Sequence, residues 1–347
     1  MSIDLARLFG DPALYFHGYE GDHVRFLPMD RDSYERSIFL DRRIQIAPGQ
    51  AYRVPLQPLL GHLAAQGFSA PRLNLIHHVG QCGSTLLARA LDVTDRSLVL
   101  REPFHLRQVA VHGGAGFTSA YASGEWRAML GLSLHMLGKR FDPAQPVIVK
   151  GNVPISMIGD AILEADPDRA AILLYFPLVD YCAAVLRTPN HLGWVQSVTR
   201  ELRLAEDPLV GPIDGLDPGA LVGALWFSLI KRYERILSQN GAARSLDANQ
   251  LFDEPQATVA ASARLFEVAL SEEEIAERVS GPLFSSYAKD PSQAYAPEQR
   301  VERREAWKQD NAVLIDSARR WVGEAASRHG LPAALERPLL GDPAPLL

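Results

Sequence analysis

The stretch Leu73 to Asp92 reads LNLIHHVGQCGSTLLARALD and constrains the fold more than any other. An apolar run, Leu73, Leu75, Ile76 and Val79, leads into the short loop Gly80-Gln81-Cys82-Gly83. Ser84 and Thr85 follow, and then Leu86, Leu87, Ala90 and Leu91 recur at helical spacing. Strand, glycine loop and helix form a layout that holds phosphate. Glycines let the backbone turn with its N–H groups pointing inward, and a helix N-terminus adds about half a positive charge. The hydroxyls of Ser84 and Thr85 can donate to phosphate oxygens as well.

The common nucleotide-binding form of this loop ends in Gly-Lys followed by Ser or Thr. Gly83 and Thr85 fit that pattern, but Ser84 stands in place of the lysine and His78 in place of the first glycine. Hydrolysis of ATP or GTP is therefore weakened from the outset. The plainer alternative is a tight strand-to-helix turn with no ligand. Cys82 invites a reading as a nucleophile. The competing reading is a small residue fitting a tight loop, since His77 and His78 are strand neighbours that point to opposite faces.

Length and charge narrow the classes. A chain of 347 residues accommodates one large α/β domain with additions, or two domains. A net charge of −6 argues against general nucleic-acid binding, which needs a basic surface to displace counterions. Two cysteines, Cys82 and Cys182, make no disulfide framework, and a reducing cytoplasm is the expected setting. No basic segment followed by an apolar core opens the chain, and no stretch approaches the roughly twenty apolar residues of a membrane span, so no membrane association is expected.

Further strands end in charged residues. Ser97 to Leu100 is a short strand followed by Arg101-Glu102-Pro103-Phe104. A carboxylate at a strand C-terminus sits where open α/β sheets bind ligand. Glu102 is the candidate; the alternatives are an ion pair with Arg101 or Arg107, and His105 is the rival base. Pro146 to Lys150 is a strand closed by Lys150, which is otherwise a solvated lysine at a strand edge. Pro154 is placed to start a helix. Ala170 to Phe176 is a strand, with a helix over Tyr181 to Leu186. Asp217-Pro218 starts a long core helix, Ala243 to Leu246 is a strand leading to the capping Asp247, and Ser271 to Glu274 is a capping box. The Gly-rich segment His112 to Gly124 reads as a lid or a plain surface loop. Residues 282 to 297 read as irregular, and the following charged segment, to Arg328, as helical.

The motifs carry a resemblance. Gly80 to Leu87 resembles the 5′-phosphosulfate loop of the sulfotransferases that use 3′-phosphoadenosine 5′-phosphosulfate (PAPS). It is closer still to the Arg-Cys-Gly-Ser-Thr-Leu form of bacterial members. The Glu102-Pro103 turn, the strand ending in Lys150, and the segment Tyr175 to Asp180 agree in order, so the resemblance spans Arg72 to Trp307. It implies an α/β, three-layer P-loop-type fold with a central, mainly parallel sheet flanked by helices. Residues 1–70 would be an N-terminal accessory segment packed on the main sheet, 71–330 the main domain, and 331–347 a loosely attached tail.

The resemblance also implies roles. Gly80, Gln81, Cys82, Gly83, Ser84 and Thr85 would hold the 5′-phosphosulfate. Glu102 would be the base, and Lys150 would stabilise charge on the transferring group. The acceptor would be a hydroxyl or amine of a small molecule or peptide. No metal is expected, because such a donor already carries a good leaving group. Two departures fall on charge. Gln81 replaces a basic residue, and Tyr175 or Phe176 stands where the family has the arginine for the 3′-phosphate, with Ala183 or Ala184 for its serine. A charge-assisted hydrogen bond to phosphate is worth roughly 1.5 to 3 kcal/mol. Arg187 and Lys289 are the candidate replacements. Two other readings stand beside the transferase: a non-catalytic module that binds a nucleotide or a partner, and an ATP- or GTP-dependent kinase. The acceptor and the oligomeric state are not readable.

Overall fold

A computed structural model describes residues 4–67, 69–112, 124–287, 290–294 and 297–347. The chain opens with α1 (Leu5–Gly10), the hairpin β1 (Leu14–Glu20) and β2 (His23–Pro28), α2 (Arg31–Arg36), β3 (Tyr52–Pro55) and α3 (Leu56–Gln66). These strands form an antiparallel sheet of three. Its apolar residues, among them Phe16, Val24 and Phe26, make a small core with Leu59 and Leu63.

The main sheet follows: β4 (Asn74–His78), α4 (Ser84–Ala90), β5 (Leu98–Arg101), α5 (Phe104–His112), α6 (Gly124–Leu137), β6 (Val147–Lys150), α7 (Gly159–Ala165), β7 (Ala171–Tyr175), α8 (Leu178–Val185), α9 (Pro189–Glu201), α10 (Pro218–Gln239) and β8 (Ala243–Asp247). Five strands lie in the order β5-β6-β4-β7-β8, and every pairing is parallel. The chain leaves β4 toward one edge, returns, and then crosses to the other edge. That reversal puts the ends of β4 and its neighbours at the topological switch point, where open α/β sheets bind ligands. Strands buried on both faces read as continuous apolar runs, and β5, β6 and β7 are buried along their whole length. This is the three-layer P-loop-type fold expected from the sequence.

The C-terminal part comprises α11 (Ala248–Asp253), α12 (Pro255–Leu265), α13 (Glu272–Ser280), α14 (Pro282–Ser285), the hairpin β9 (Ser286–Tyr287) and β10 (Asp290–Ala294), α15 (Pro297–Asp310) and α16 (Ala312–His329). Asp217 caps α10 by accepting from Gly219 and Ala220, and Ser271 and Glu274 close a capping box on α13. The segment read as irregular holds a short helix and a hairpin.

Two expectations about packing change. The accessory segment does not rest on the main sheet alone: Leu132 and Met136 of α6 complete its core. The tail is bound rather than loose. Its backbone pairs with both sides of Ser245, Leu346 is fully buried, and the Leu346 carbonyl accepts from Leu178 N–H. A chain that supplies backbone partners to an edge strand is fixed by them, whatever its proline content.

A buried ion cluster joins the first part to the second. Asp92 accepts from Arg31 and from Arg101, each at 2.6 Å. Arg101 also donates to the carbonyls of Tyr34, Glu35 and Ser37. Removing one partner of such a pair strands a buried charge, at a cost of about 3–5 kcal/mol.

Two histidines are buried and neutral. Burial, with Arg169 nearby, pushes His77 down to about 4. Burial also holds His105 well below its ordinary value, and among the described residues neither of its ring nitrogens has a hydrogen-bond partner. The unfolded chain takes up these protons near 6.5, so the stability they contribute is whole above that pH and is lost as pH falls toward 4. Urea midpoints measured from pH 7 to pH 4.5 should fall steadily, and His105→Phe should fall less. A midpoint independent of pH over that range would contradict this.

Candidate functional site

The loop after β4 is built by left-handed backbone. Gly80 has φ 92°, Gln81 φ 54° and Gly83 φ 80°. Left-handed residues in a tight turn aim backbone N–H groups into a concavity that suits an anion. The two glycines are also required by contact. A Cβ on Gly80 would lie 2.3 Å from the Trp194 ring, and one on Gly83 would lie 2.8 Å from the Phe252 ring. The loop is thus gripped between α9 and α11. Because α4 has only seven residues, its dipole is small, and backbone N–H groups and hydroxyls must do most of any anion binding. Thr85 Oγ1 is buried and has no hydrogen-bond partner among the described residues. An unsatisfied buried hydroxyl at this position suits a bound phosphate oxygen.

Cys82 does not fit a nucleophile's role. It is fully buried, with its sulfur facing the Leu174 carbonyl at 3.9 Å, so the small-residue reading holds. His78 fixes the base of the loop. Its Nδ1 accepts from Gly80 N–H at 3.1 Å, which leaves the proton on Nε2 to donate to the Gly151 carbonyl at 2.8 Å. The adjacent Tyr181 hydroxyl donates to the Val79 carbonyl, tying α8 to the same loop.

Glu102 and Lys150, expected separately, meet. Arg101 and Lys150 are register partners on β5 and β6. The next residue, Glu102, turns out of the strand at φ 54° and donates its N–H to the Lys150 carbonyl at 2.7 Å. The Lys150 ammonium forms an ion pair with Glu102 Oε1. The lysine side chain is 1% exposed and the glutamate 19%, so the carboxylate is the partner that faces outward. Lys150 Nζ also sits 5.4 Å from the Phe39 ring centre. Three alternatives are corrected. Lys150 is buried rather than solvated. Arg101 and Arg107 are engaged by Asp92 and Glu201 and not by Glu102. His105 is sealed in the core between Tyr15 and Phe16, out of a base's reach of any ligand.

On the other side of the loop, Tyr175 and Phe176 are buried. Arg187 lies exposed after α8, beside His191, one turn before the Trp194 that touches Gly80. Lys289 and residues 113–123 of the suspected lid lie outside the described residues. Ala183 is buried in α8. Asp247 caps α11 by accepting from Asn249 N–H at 2.9 Å, as expected, and burial pushes its carboxyl up.

The cations the sequence reading missed come from α15. Lys308 Nζ lies 2.8 Å from Asp180 Oδ1, and Arg304 donates to Asn249 Oδ1. Burial raises the Asp180 carboxyl, but the bonds from Lys308 and Asn249 outweigh it and hold the group below its usual range. Nothing in the linear sequence marks these two among the many charges of that helix. Among the described residues no three His, Cys, Asp or Glu side chains gather as a metal site, and no helix is long and apolar enough to cross a membrane. A hollow of about 500 Å³ lined by Asp32, Glu35, Arg36, Ile38, Gln45 and Arg89 lies at the far end of α4 from the loop.

No family model matches the sequence, and no curated protein matches it. Among solved structures the chain is similar to the sulfotransferase domain from the curacin biosynthetic pathway, at 14% identity, with 76% of this chain and 100% of that one covered and a TM-score of 0.41. It is similar to a sulfotransferase from Mycobacterium tuberculosis at 15% identity, with 78% and 84% covered and a TM-score of 0.43. A sulfotransferase from Alicyclobacillus acidocaldarius matches at 12% identity, with 73% and 96% covered and a TM-score of 0.38. At these values the likeness carries no functional argument.

The loop geometry makes a paired test. Gly83→Ala should cost about 2 kcal/mol, because an L-residue at positive φ is strained and its Cβ meets Phe252. Gly193→Ala, in α9 with open space around it, should be neutral or raise stability by up to about 1 kcal/mol. Equal effects in urea unfolding would contradict the assignment of strain to the loop.

Proposed function

We propose that this protein transfers a sulfuryl group from PAPS to a hydroxyl or amine. The observation that carries the reading is the Lys150–Glu102 pair at the ends of adjacent strands, next to a left-handed glycine loop with an unsatisfied hydroxyl. The donor supplies an activated sulfuryl group on a phosphate leaving group. Residues Gly80 to Thr85 hold the 5′-phosphosulfate, with Thr85 Oγ1 donating to it.

Lys150 and Glu102 divide the remaining work. Lys150 turns from Glu102 toward the negative charge that grows on the transferring group and the leaving oxygen, a stabilisation that is strong in a site screened from water. Glu102 then takes the proton of the acceptor as its oxygen or nitrogen bonds to sulfur and the bond from sulfur to the phosphate oxygen breaks. For the 3′-phosphate, Arg187 is the proposed cation within the described residues, and Lys289 is the second candidate. The two cysteines are both buried, in accord with a cytoplasmic setting, and burial pushes the Cys182 thiol up to about 12.

A second reading is a nucleotide-binding module without transfer activity. Gln81 and the buried Tyr175 and Phe176 favour it, since they remove cations from the donor site. A kinase has less support, because Ser84 replaces the loop lysine.

Transfer of radiolabelled sulfate from PAPS to a panel of alcohols, phenols and amines tests the proposal. Glu102→Gln should lower kcat by about 10²-fold or more, and Lys150→Ala by about 10²–10³-fold. Wild-type turnover in either variant would overturn these roles.

A further inference from the structure

The N-terminal segment reaches the site, and its charge bears on the acceptor. Residues 37–43 cross the end of β5 on backbone bonds. Leu40 N–H donates to the Arg101 carbonyl at 2.7 Å, and Phe104 N–H donates to the Leu40 carbonyl at 3.2 Å. These bonds bracket Glu102. The His17 ring bonds the Asp41 carbonyl at 3.2 Å and holds the same turn from β1. The segment is therefore a fixed wall of the site.

Cations of the wall and its neighbours lie against aromatic rings. Phe39 lies under both Lys150 and Arg43, with the Arg43 guanidinium 4.2 Å from its ring centre. Arg42 lies over Phe104 at 5.6 Å, two residues from Glu102. Most of the charges here are matched. Arg43 is held by Asp41, Arg107 by Glu201, and Lys150 by Glu102. Arg42 is exposed, and no carboxylate pairs with it among the described residues. In a chain with a net charge of −6, an unmatched guanidinium laid on an aromatic platform beside the proposed base has a use. Its planar fork suits a carboxylate, phosphate or sulfate group in a bidentate hold.

We propose that the acceptor carries an anionic group near its hydroxyl or amine, and that Arg42 binds that group and sets the acceptor's specificity. This rests on the transferase reading above. Arg42 touches the far part of the acceptor and takes no part in proton or sulfuryl movement. Its loss should raise KM and leave kcat for neutral acceptors unchanged.

The test compares matched acceptors, 4-hydroxybenzoate against 4-hydroxybenzyl alcohol and glucuronate against glucose, with labelled PAPS. Wild-type protein should favour the anionic member by about tenfold in kcat/KM, the scale of one charge-assisted hydrogen bond. Arg42→Ala should erase that preference through KM, and Arg42→Lys should restore part of it. Equal rates within each pair, or a preference that survives Arg42→Ala, would overturn the proposal. Binding of 4-hydroxybenzoate, followed by NMR line broadening in wild type and Arg42→Ala, separates the two claims when no acceptor is sulfated. Binding lost in the variant keeps the anion subsite while the transfer reading fails. Binding equal in both, or absent from both, overturns the subsite.

Discussion

The backbone between β4 and α4 turns through left-handed conformations at Gly80, Gln81 and Gly83, and the surrounding structure is fitted to that turn. Trp194 and Phe252 fill the spaces where side chains on Gly80 and Gly83 would stand. His78 ties the turn to Gly151, which places the end of β6, and so Lys150, beside it. Tyr181 ties α8 to Val79. A strained loop persists only where its neighbours over-determine it, and here α8, α9, α11 and the end of β6 do so.

Charge is distributed around that loop with a division of labour. Asp92, Arg31 and Arg101 form a buried cluster that anchors the N-terminal segment to β5 and is too enclosed to meet a ligand. Glu102, the residue after Arg101, pairs instead with Lys150, Arg101's register partner on β6, with the lysine buried and the carboxylate facing outward. Two consecutive residues, Arg101 and Glu102, thus divide anchoring from the proposed chemistry. The first requires complete burial, and the second requires one exposed oxygen. On the opposite side of the loop, Asp180 is held by Lys308 and Asn249, so the cations of α15 reach the same edge of the sheet with a carboxylate already attached.

Much of the fold was legible because parallel strands buried on both faces leave apolar runs, and helix starts such as Asp217-Pro218 and Ser271 carry local capping chemistry. The candidate site was legible where it is local, as in Gly80 to Thr85. It was not legible where it depends on pairing. Glu102 and Lys150 meet because β5 and β6 are neighbours, and the sequence between them says nothing of that register. Arg101 looked like a partner for its neighbour Glu102, but alternation along the strand sends it to Asp92 instead. The wall made by Phe39, Arg42 and Arg43 depends on two backbone bonds from Leu40, which leave no trace in composition. The tail read as loose because proline-rich ends usually are, yet its backbone meets the edge at Ser245.

The central claim is that the loop at Gly80 to Thr85 holds the phosphosulfate end of a PAPS-type nucleotide. Calorimetric titration with the product nucleotide, 3′-phosphoadenosine 5′-phosphate, beside ATP with Mg²⁺, tests it most directly. Micromolar binding of the former, with ATP binding far more weakly, is the predicted result. No binding of the bisphosphate nucleotide, with or without binding of ATP, would contradict it.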